Sequence, residues 1–122
     1  MITDIQLEKL LQDITSNYIS ITIGIAESRG YPINEEVMEN KVENFKNNLS
    51  IEKGEKYIKI ISGESTWGFI NVSHPEFFEG DIFQAYDDES PLLNRARGNV
   101  TKSYSLLNYV SPMSFKQMRG RY

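Results

Sequence analysis

Two arginines in the stretch SPLLNRARGNV, residues 90–100, are the side chains of this sequence best suited to recognise another molecule or to fix a loop. A guanidinium presents five donors in a planar fork, which matches carboxylates, phosphates and groups of backbone carbonyls. Arg95 and Arg97 flank one alanine and run into Gly98 and Asn99. They serve either to bind a partner or to hold the fold together.

The arginines begin a basic segment in an otherwise acidic protein, whose formal net charge is −4. Residues 76–89 contain six acids and no base, whereas residues 90–122 contain six bases and no acid. Charge blocks of this kind pair inside the fold or face different partners. The partner-binding candidates are the bases outside the ARGN motif, residues 96–99, and two tyrosines between them, namely Arg95, Lys102, Tyr104, Tyr109, Lys116, Arg119 and Arg121.

Aromatic residues make nucleic acid an alternative partner. Basic residues supply affinity for phosphates, and exposed aromatic rings supply stacking for bases. Trp67, Phe69, Tyr57 and Phe83 would form a stacking surface if they were exposed, but aromatic residues at alternate strand positions more often belong to the core. The acidic net charge also argues against nucleic acid, because domains that bind it are typically basic.

Residues suited to catalysis or metal binding are few. His74 is the only histidine and precedes Pro75, a position more typical of a loop residue than of a catalytic one. The absence of cysteine excludes thiol chemistry and cysteine-bound zinc. The acidic run DDES, residues 87–90, lacks the residue spacing of a calcium-binding loop. We therefore predict no enzymatic activity, no metal and no cofactor.

Hydrophobic periodicity predicts two N-terminal helices. Thr3 and Gln6 have the spacing of a capping box, and apolar residues then recur at helical spacing, which predicts a helix over residues 4–17. In residues 19–26 isoleucine alternates with small or hydroxylated residues, which favours a strand over a continued helix. Asn34 is predicted to cap a second helix that ends near Leu49.

Strand patterns dominate the rest of the chain. KYIKIIS and TWGFINV are predicted to form a hairpin with Trp67 and Phe69 on one face, and residues 81–86 and 103–110 are predicted as further strands. Helices followed by strands indicate an α+β fold with a mainly antiparallel sheet. We predict one domain over residues 1–122, with a helical part (1–53) and a β-rich part with a basic tail (54–122).

The motif order of the β-rich part resembles a widespread family of small, uncharacterised proteins of tailed bacteriophages. The matching elements are WGFI at residues 67–70, GDI at 80–82 followed by Ala85, then Pro91, and ARGNV at 96–100. The resemblance covers about residues 57–100. It implies a viral origin and a location in the bacterial host cytoplasm or the virion, and it transfers no catalytic residue.

Five residues of these motifs are predicted to stabilise the fold. Gly98 and Asn99 suit turn geometry. Arg97 is expected to bond loop carbonyls or the carboxylate of Asp81 in the neighbouring motif. Trp67 of the WGFI motif is the fifth. Arg95 lies outside the motif core and is freer to bind a partner.

These observations predict a non-enzymatic phage accessory protein that binds a protein, either as an inhibitor of a host or defence factor or as a minor virion component. A nucleic-acid-binding protein using the basic C-terminal third is the first alternative, and a small enzyme of unknown class is the second.

Self-association is also predicted, because Met113, Phe115, Met118 and Tyr122 suit an intermolecular contact. No membrane span is predicted, since residues 19–26 are far shorter than the ~20 apolar residues required.

Overall fold

The fold consists of two helices followed by a four-stranded antiparallel sheet. In the computed structural model, which describes residues 1–106 and 109–112, helix α1 spans Asp4–Ser28 and helix α2 spans Glu35–Asn47. The strands β1 (Leu49–Lys53), β2 (Tyr57–Ser62), β3 (Ser65–Asn71) and β4 (Ile82–Gln84) lie side by side in this order. The predicted α+β class, with N-terminal helices and an antiparallel sheet, is confirmed.

The N-terminal half of α1 packs on the sheet and forms the core with it. The helix begins at the predicted capping box, in which the Gln6 backbone N–H donates to Thr3 Oγ1 (3.1 Å) and the Thr3 N–H donates to Gln6 Oε1 (2.9 Å). The buried apolar cluster contains Leu7, Leu10 and Ile14 of α1, together with Ile58, Ile60, Trp67, Ile70, Ile82 and Val100. No helix in the described ranges is long and apolar enough to cross a membrane.

The strand predicted over residues 19–26 is wrong, because α1 continues through this segment to Ser28. β-branched residues favour a strand only where a neighbouring strand can pack against them, and none of the four strands in the described ranges lies beside this segment. Extending a helix that has already formed costs much less than starting one. The extension also contacts α2, since the Tyr18 and Phe45 rings stack with their centroids 4.1 Å apart.

Helix α2 begins at its predicted cap, but the strand after it is not predicted by the local pattern. Asn34 Oδ1 accepts a hydrogen bond from the Val37 backbone N–H at 3.1 Å, and the helix ends at Asn47. The next element, β1, pairs antiparallel with β2 over its whole length. β1 therefore lies within the part that was expected to be helical, residues 1–53, and long-range pairing determines its conformation.

The predicted β2–β3 hairpin is present, but Trp67 does not share a face with Phe69. Ile60 pairs with Gly68 and the next residue, Ile61, pairs with Thr66. Trp67 therefore has no partner residue on β2 and forms a β-bulge in β3. Such a bulge changes the direction of the side chains that follow it. Trp67 belongs to the core cluster, whereas Phe69 packs outside that cluster.

The last predicted strand, residues 103–110, is wrong over the residues that can be described. The structure does not describe residues 107 and 108. Among the described residues of this range, only Tyr104 makes a β-bridge, and its partner is Gly98. A Cβ on residue 98 would lie 2.5 Å from the Tyr104 Cβ, which explains the glycine at this position. Strand β4 is present but covers only Ile82–Gln84 of the predicted residues 81–86.

Candidate functional site

The RARGN motif extends the sheet beyond β4. The Arg97 backbone N–H donates to the Ile82 carbonyl (2.7 Å), and the Ile82 N–H donates to the Gly98 carbonyl (2.9 Å). Asp81 and Asn99 lie opposite each other in an antiparallel bridge. The backbone of the motif is thus engaged in the fold.

Asn99 and Asp81 are the centre of a buried polar network. Asn99 Nδ2 donates to Asp81 Oδ1 and to the Glu79 carbonyl, both at 3.0 Å. Asn99 Oδ1 accepts hydrogen bonds from the backbone N–H (2.9 Å) and the hydroxyl (2.6 Å) of Thr101. Asp81 Oδ2 accepts a hydrogen bond from the Phe78 backbone N–H at 3.0 Å. Because these buried atoms are bonded, the network holds the loop before β4 against the RARGN motif.

The Arg97 side chain bonds Gln84 and makes no ion pair with Asp81. Its Nη2 donates to Gln84 Oε1 at 2.9 Å, and none of the three ion pairs among residues 1–106 and 109–112 joins Arg97 to Asp81. Its Nε is buried and has no hydrogen-bond partner within the described part of the chain. Desolvation by burial, followed by the nearby charge of Arg95, lowers the pKa of Arg97. Burial and the neighbouring Arg95 therefore make the charged form of the Arg97 side chain less favourable than it is in water.

Two substitutions of Arg97 separate the role of its charge from the role of its aliphatic stem. We expect Arg97→Ala to lower the free energy of unfolding by about 1–2 kcal/mol, because it removes one hydrogen bond and the packing of the stem. Arg97→Met keeps most of the stem and removes a partly desolvated charge, so its stability should stay within about 0.5 kcal/mol of wild type. Denaturant titrations measure both values. A Met variant as unstable as the Ala variant would show that the guanidinium, through its charge or its hydrogen bond to Gln84, stabilises the fold.

Both tyrosines among the partner-binding candidates make contacts within the fold. The Tyr104 hydroxyl donates to Asp13 of α1. Burial and this bond, in that order, raise the pKa of Tyr104. Tyr109 packs edge-on against the stacked rings of Tyr18 and Phe45, with centroid distances of 5.0 and 5.8 Å. These rings therefore join the C-terminal segment to the helices.

The basic candidates lie in different surroundings. Lys102 Nζ is 5.5 Å from the centroid of the exposed Phe78 ring. Arg95 is half-buried, and its backbone N–H donates to Asn94 Oδ1 at 2.8 Å. The remaining three predicted residues, Lys116, Arg119 and Arg121, lie outside the residues that the structure describes. The partner-binding role of this set stays a prediction.

The other residues considered for chemistry are engaged in local structure. Trp67, Phe69 and Phe83 are buried, so their rings are not available for stacking on bases. His74 Nδ1 accepts a hydrogen bond from the Glu76 backbone N–H at 3.2 Å. Within residues 1–106 and 109–112, no group of three or more histidine, aspartate or glutamate side chains is placed to hold a metal ion.

An uncovered apolar surface lies on the helical hairpin formed by residues 16–28 of α1 and by α2. No residue of either segment is buried. Ile25, Ile33 and Val37, on or between these helices, are 46%, 46% and 50% exposed. Because helices in proteins are stabilised mainly by packing of their apolar faces, this hairpin leaves much of its apolar surface available to another molecule.

The two helices enclose a depression of about 600 Å³, named here the hairpin groove. Its lining consists of apolar and acidic residues, namely Ile23, Ile33, Met38 and Val42, with Glu35, Glu39 and Glu43. The three glutamates are four residues apart and form a row along α2, a spacing at which like charges repel by about 0.2–0.5 kcal/mol per pair. None of the ion pairs found among the described residues involves α2. The groove thus combines an apolar lining with a row of acidic charge that these ion pairs do not neutralise.

The sequence contains a signal for this site. The glutamate spacing is visible in EEVMENKVE, residues 35–43, and the isoleucines of residues 19–25 supply apolar side chains. Because the alternation of these isoleucines favours a strand, it does not predict two helices side by side there. Comparison with known protein families, with curated proteins and with solved structures finds no match to this chain.

Proposed function

We propose that this protein is a non-enzymatic binding protein whose hairpin groove receives an amphipathic helix of a partner protein. The observation that carries the proposal is that residues 16–28 and α2 bury no residue, although Ile23 of the first segment and Met38 and Val42 of the second line an apolar groove. Grooves of this kind accept a helix that presents apolar anchors at helical spacing. The acidic row on α2 selects a partner with lysine or arginine beside those anchors.

Apolar and charged residues of the groove make different contributions to binding. Covering Ile23, Met38 and Val42 would remove apolar surface from water, which stabilises a complex by about 25 cal/mol per Å² before the cost of association. Cations of the partner would relieve the repulsion along the glutamate row, and such charges mainly set the orientation and the association rate. Affinity therefore comes chiefly from the apolar residues and selectivity from the glutamates.

The resemblance to bacteriophage proteins supports a viral accessory role within this proposal. In that role the partner is a host or defence factor that the protein inhibits, or another component of the virion. The bacterial host cytoplasm or the virion is then the place where the two proteins meet. No observation in the described part of the chain favours an active site over a binding surface.

Reversal of two groove charges tests the proposal. The variant Glu39→Lys/Glu43→Lys should lose a partner that the wild type captures from a lysate of infected bacteria, and its affinity for the purified partner should fall at least about tenfold. The matched control Glu27→Lys/Glu36→Lys changes the net charge equally, and its exposed sites do not line the groove. Mass spectrometry identifies the partner, and calorimetric titration of all three proteins measures its affinity.

Equal melting temperatures of the two variants would show that a loss of binding is not a loss of folding. If the captured partner binds both variants as tightly as the wild type, the hairpin groove is not the binding site.

Mobility shifts with single-stranded and double-stranded nucleic acid test the alternative that the protein binds nucleic acid. Binding that weakens steeply between about 50 and 200 mM salt would indicate phosphate contacts.

A further inference from the structure

The described chain contacts helix α2 shortly before residues 113–122, which are named here the C-terminal tail. The Tyr109 ring packs on the ring of Phe45, with their centroids 5.8 Å apart. Phe45 follows Val42 of the hairpin groove by three positions, about one turn of α2. Pro112 is fully buried, so the chain is fixed to the fold up to the residue at which the C-terminal tail begins.

The C-terminal tail is long enough to reach every part of the hairpin groove. An extended residue spans at most about 3.3–3.6 Å, so residues 113–122 reach up to about 33 Å from Pro112. Helix α2 has 13 residues, which corresponds to a length of about 20 Å. The three residues from Tyr109 to Pro112 add at most about 10 Å to this path. Because the chain contacts α2 at Phe45, near the end of the helix, the tail can run along α2 towards Glu35.

The composition of the C-terminal tail matches the lining of the hairpin groove. Its three charged residues are all bases, namely Lys116, Arg119 and Arg121, whereas the three charged residues of the groove are all acids, namely Glu35, Glu39 and Glu43. Apolar residues of the tail recur at intervals of three and four, the spacing of anchors that fill such a groove, namely Phe115, Met118 and Tyr122. A base adjoins each of these anchors, so the tail can cover apolar surface and neutralise the glutamate row together.

We propose that the C-terminal tail occupies the hairpin groove of its own chain and competes there with the partner helix. This inference rests on the proposed function, because it assigns a regulation to the same groove. A ligand attached by a short connection has an effective concentration in the millimolar range, far above the usual micromolar concentration of a second copy. A weak contact therefore fills the groove within one chain, and the apparent affinity for a partner falls with the fraction of grooves that are open.

Two cysteine pairs in the full chain test the position of the tail. The chain contains no cysteine, so Met118→Cys with Val42→Cys places one thiol in the tail and one in the groove. Mild oxidation should convert this variant into a cross-linked monomer, which gel electrophoresis without reductant and mass spectrometry identify. The matched control combines Met118→Cys with Asn44→Cys, an exposed position of α2 that does not line the groove. Since residues two apart on a helix do not face each other, the control should cross-link about tenfold more slowly.

A fluorescently labelled peptide of residues 113–122 tests whether the tail closes the groove. The neutral-tail variant of the full chain replaces each base of the tail by glutamine, namely Lys116→Gln, Arg119→Gln and Arg121→Gln. Its groove should be open, so the peptide should bind it at least about tenfold more tightly than it binds the wild type. Adding Glu39→Lys/Glu43→Lys to the neutral-tail variant should remove this gain, because the peptide then meets like charges. Fluorescence anisotropy measures the three affinities.

Three results would overturn the inference. Equal cross-linking of the Val42→Cys and Asn44→Cys pairs would show that the tail does not lie in the groove. A disulfide-linked dimer as the main product of the Val42→Cys pair would place the tail on a second copy. Equal or undetectable peptide binding by the wild type and the neutral-tail variant would show that the tail does not close the groove.

Failure of this inference and failure of the proposed function are distinguishable. Both experiments on the tail use only this chain and its peptide, whereas the test of the proposed function uses the captured partner. A partner that loses affinity for Glu39→Lys/Glu43→Lys supports the groove as its binding site even where the tail leaves the groove open. A cross-linked tail with a partner that is indifferent to those two charges would instead support the tail contact alone.

Discussion

Replacement of Asn99 by aspartate should lower the free energy of unfolding by about 3–5 kcal/mol, the range observed when a buried charged group loses its partner. The Asn99 amide is fully buried and donates to both Asp81 Oδ1 and the Glu79 carbonyl. An aspartate of the same shape removes both donors and places a second carboxyl group against the first. Denaturant unfolding of the variant and the wild type, monitored by tryptophan fluorescence, gives the difference.

The matched control for this prediction is Asn94→Asp, an identical chemical change at an exposed residue five positions earlier. Its stability should stay within about 0.5 kcal/mol of wild type, as for most surface substitutions. If Asn99→Asp were equally mild, the network around Asp81 would contribute little to stability. The prediction that the ARGN motif, residues 96–99, stabilises the fold would then have no physical support.

Truncation of Trp67 to alanine should cost about 3–5 kcal/mol, because it leaves a large cavity in the core. Trp67 is fully buried and belongs to the cluster that joins α1 to the sheet. Its indole Nε1 is also buried and has no hydrogen-bond partner among the residues that the structure describes. Trp67→Phe keeps an aromatic ring and removes this unbonded donor, so we expect it to cost less than about 2 kcal/mol.

Thermal and denaturant unfolding, monitored by circular dichroism, compare these two variants, since both lack the only tryptophan. If Trp67→Phe were as unstable as Trp67→Ala, the indole N–H would be making a bond that stabilises the folded protein, and the packing account of Trp67 would be wrong.

The sequence by itself determined the features that depend on residues close together along the chain. The starts of α1 and α2 follow from Thr3 with Gln6 and from Asn34, whose caps bond within three residues. The β2–β3 hairpin follows from two β-rich runs around Gly63, whose φ of 65° suits a tight turn. Helices followed by adjacent antiparallel strands then determine the fold class. Local bonds decide all of these features, so local patterns predict them.

Only the tertiary structure decided the features that depend on distant partners. The isoleucines of residues 19–25 are helical because α2, and not a strand, lies beside them, and β1 is a strand because β2 pairs with it. Arg97 bonds Gln84, thirteen positions away, and not Asp81. The hairpin groove depends on which helical faces the sheet leaves uncovered. Periodicity along a chain shows that a face is apolar, but only the packed fold shows whether the same chain covers it.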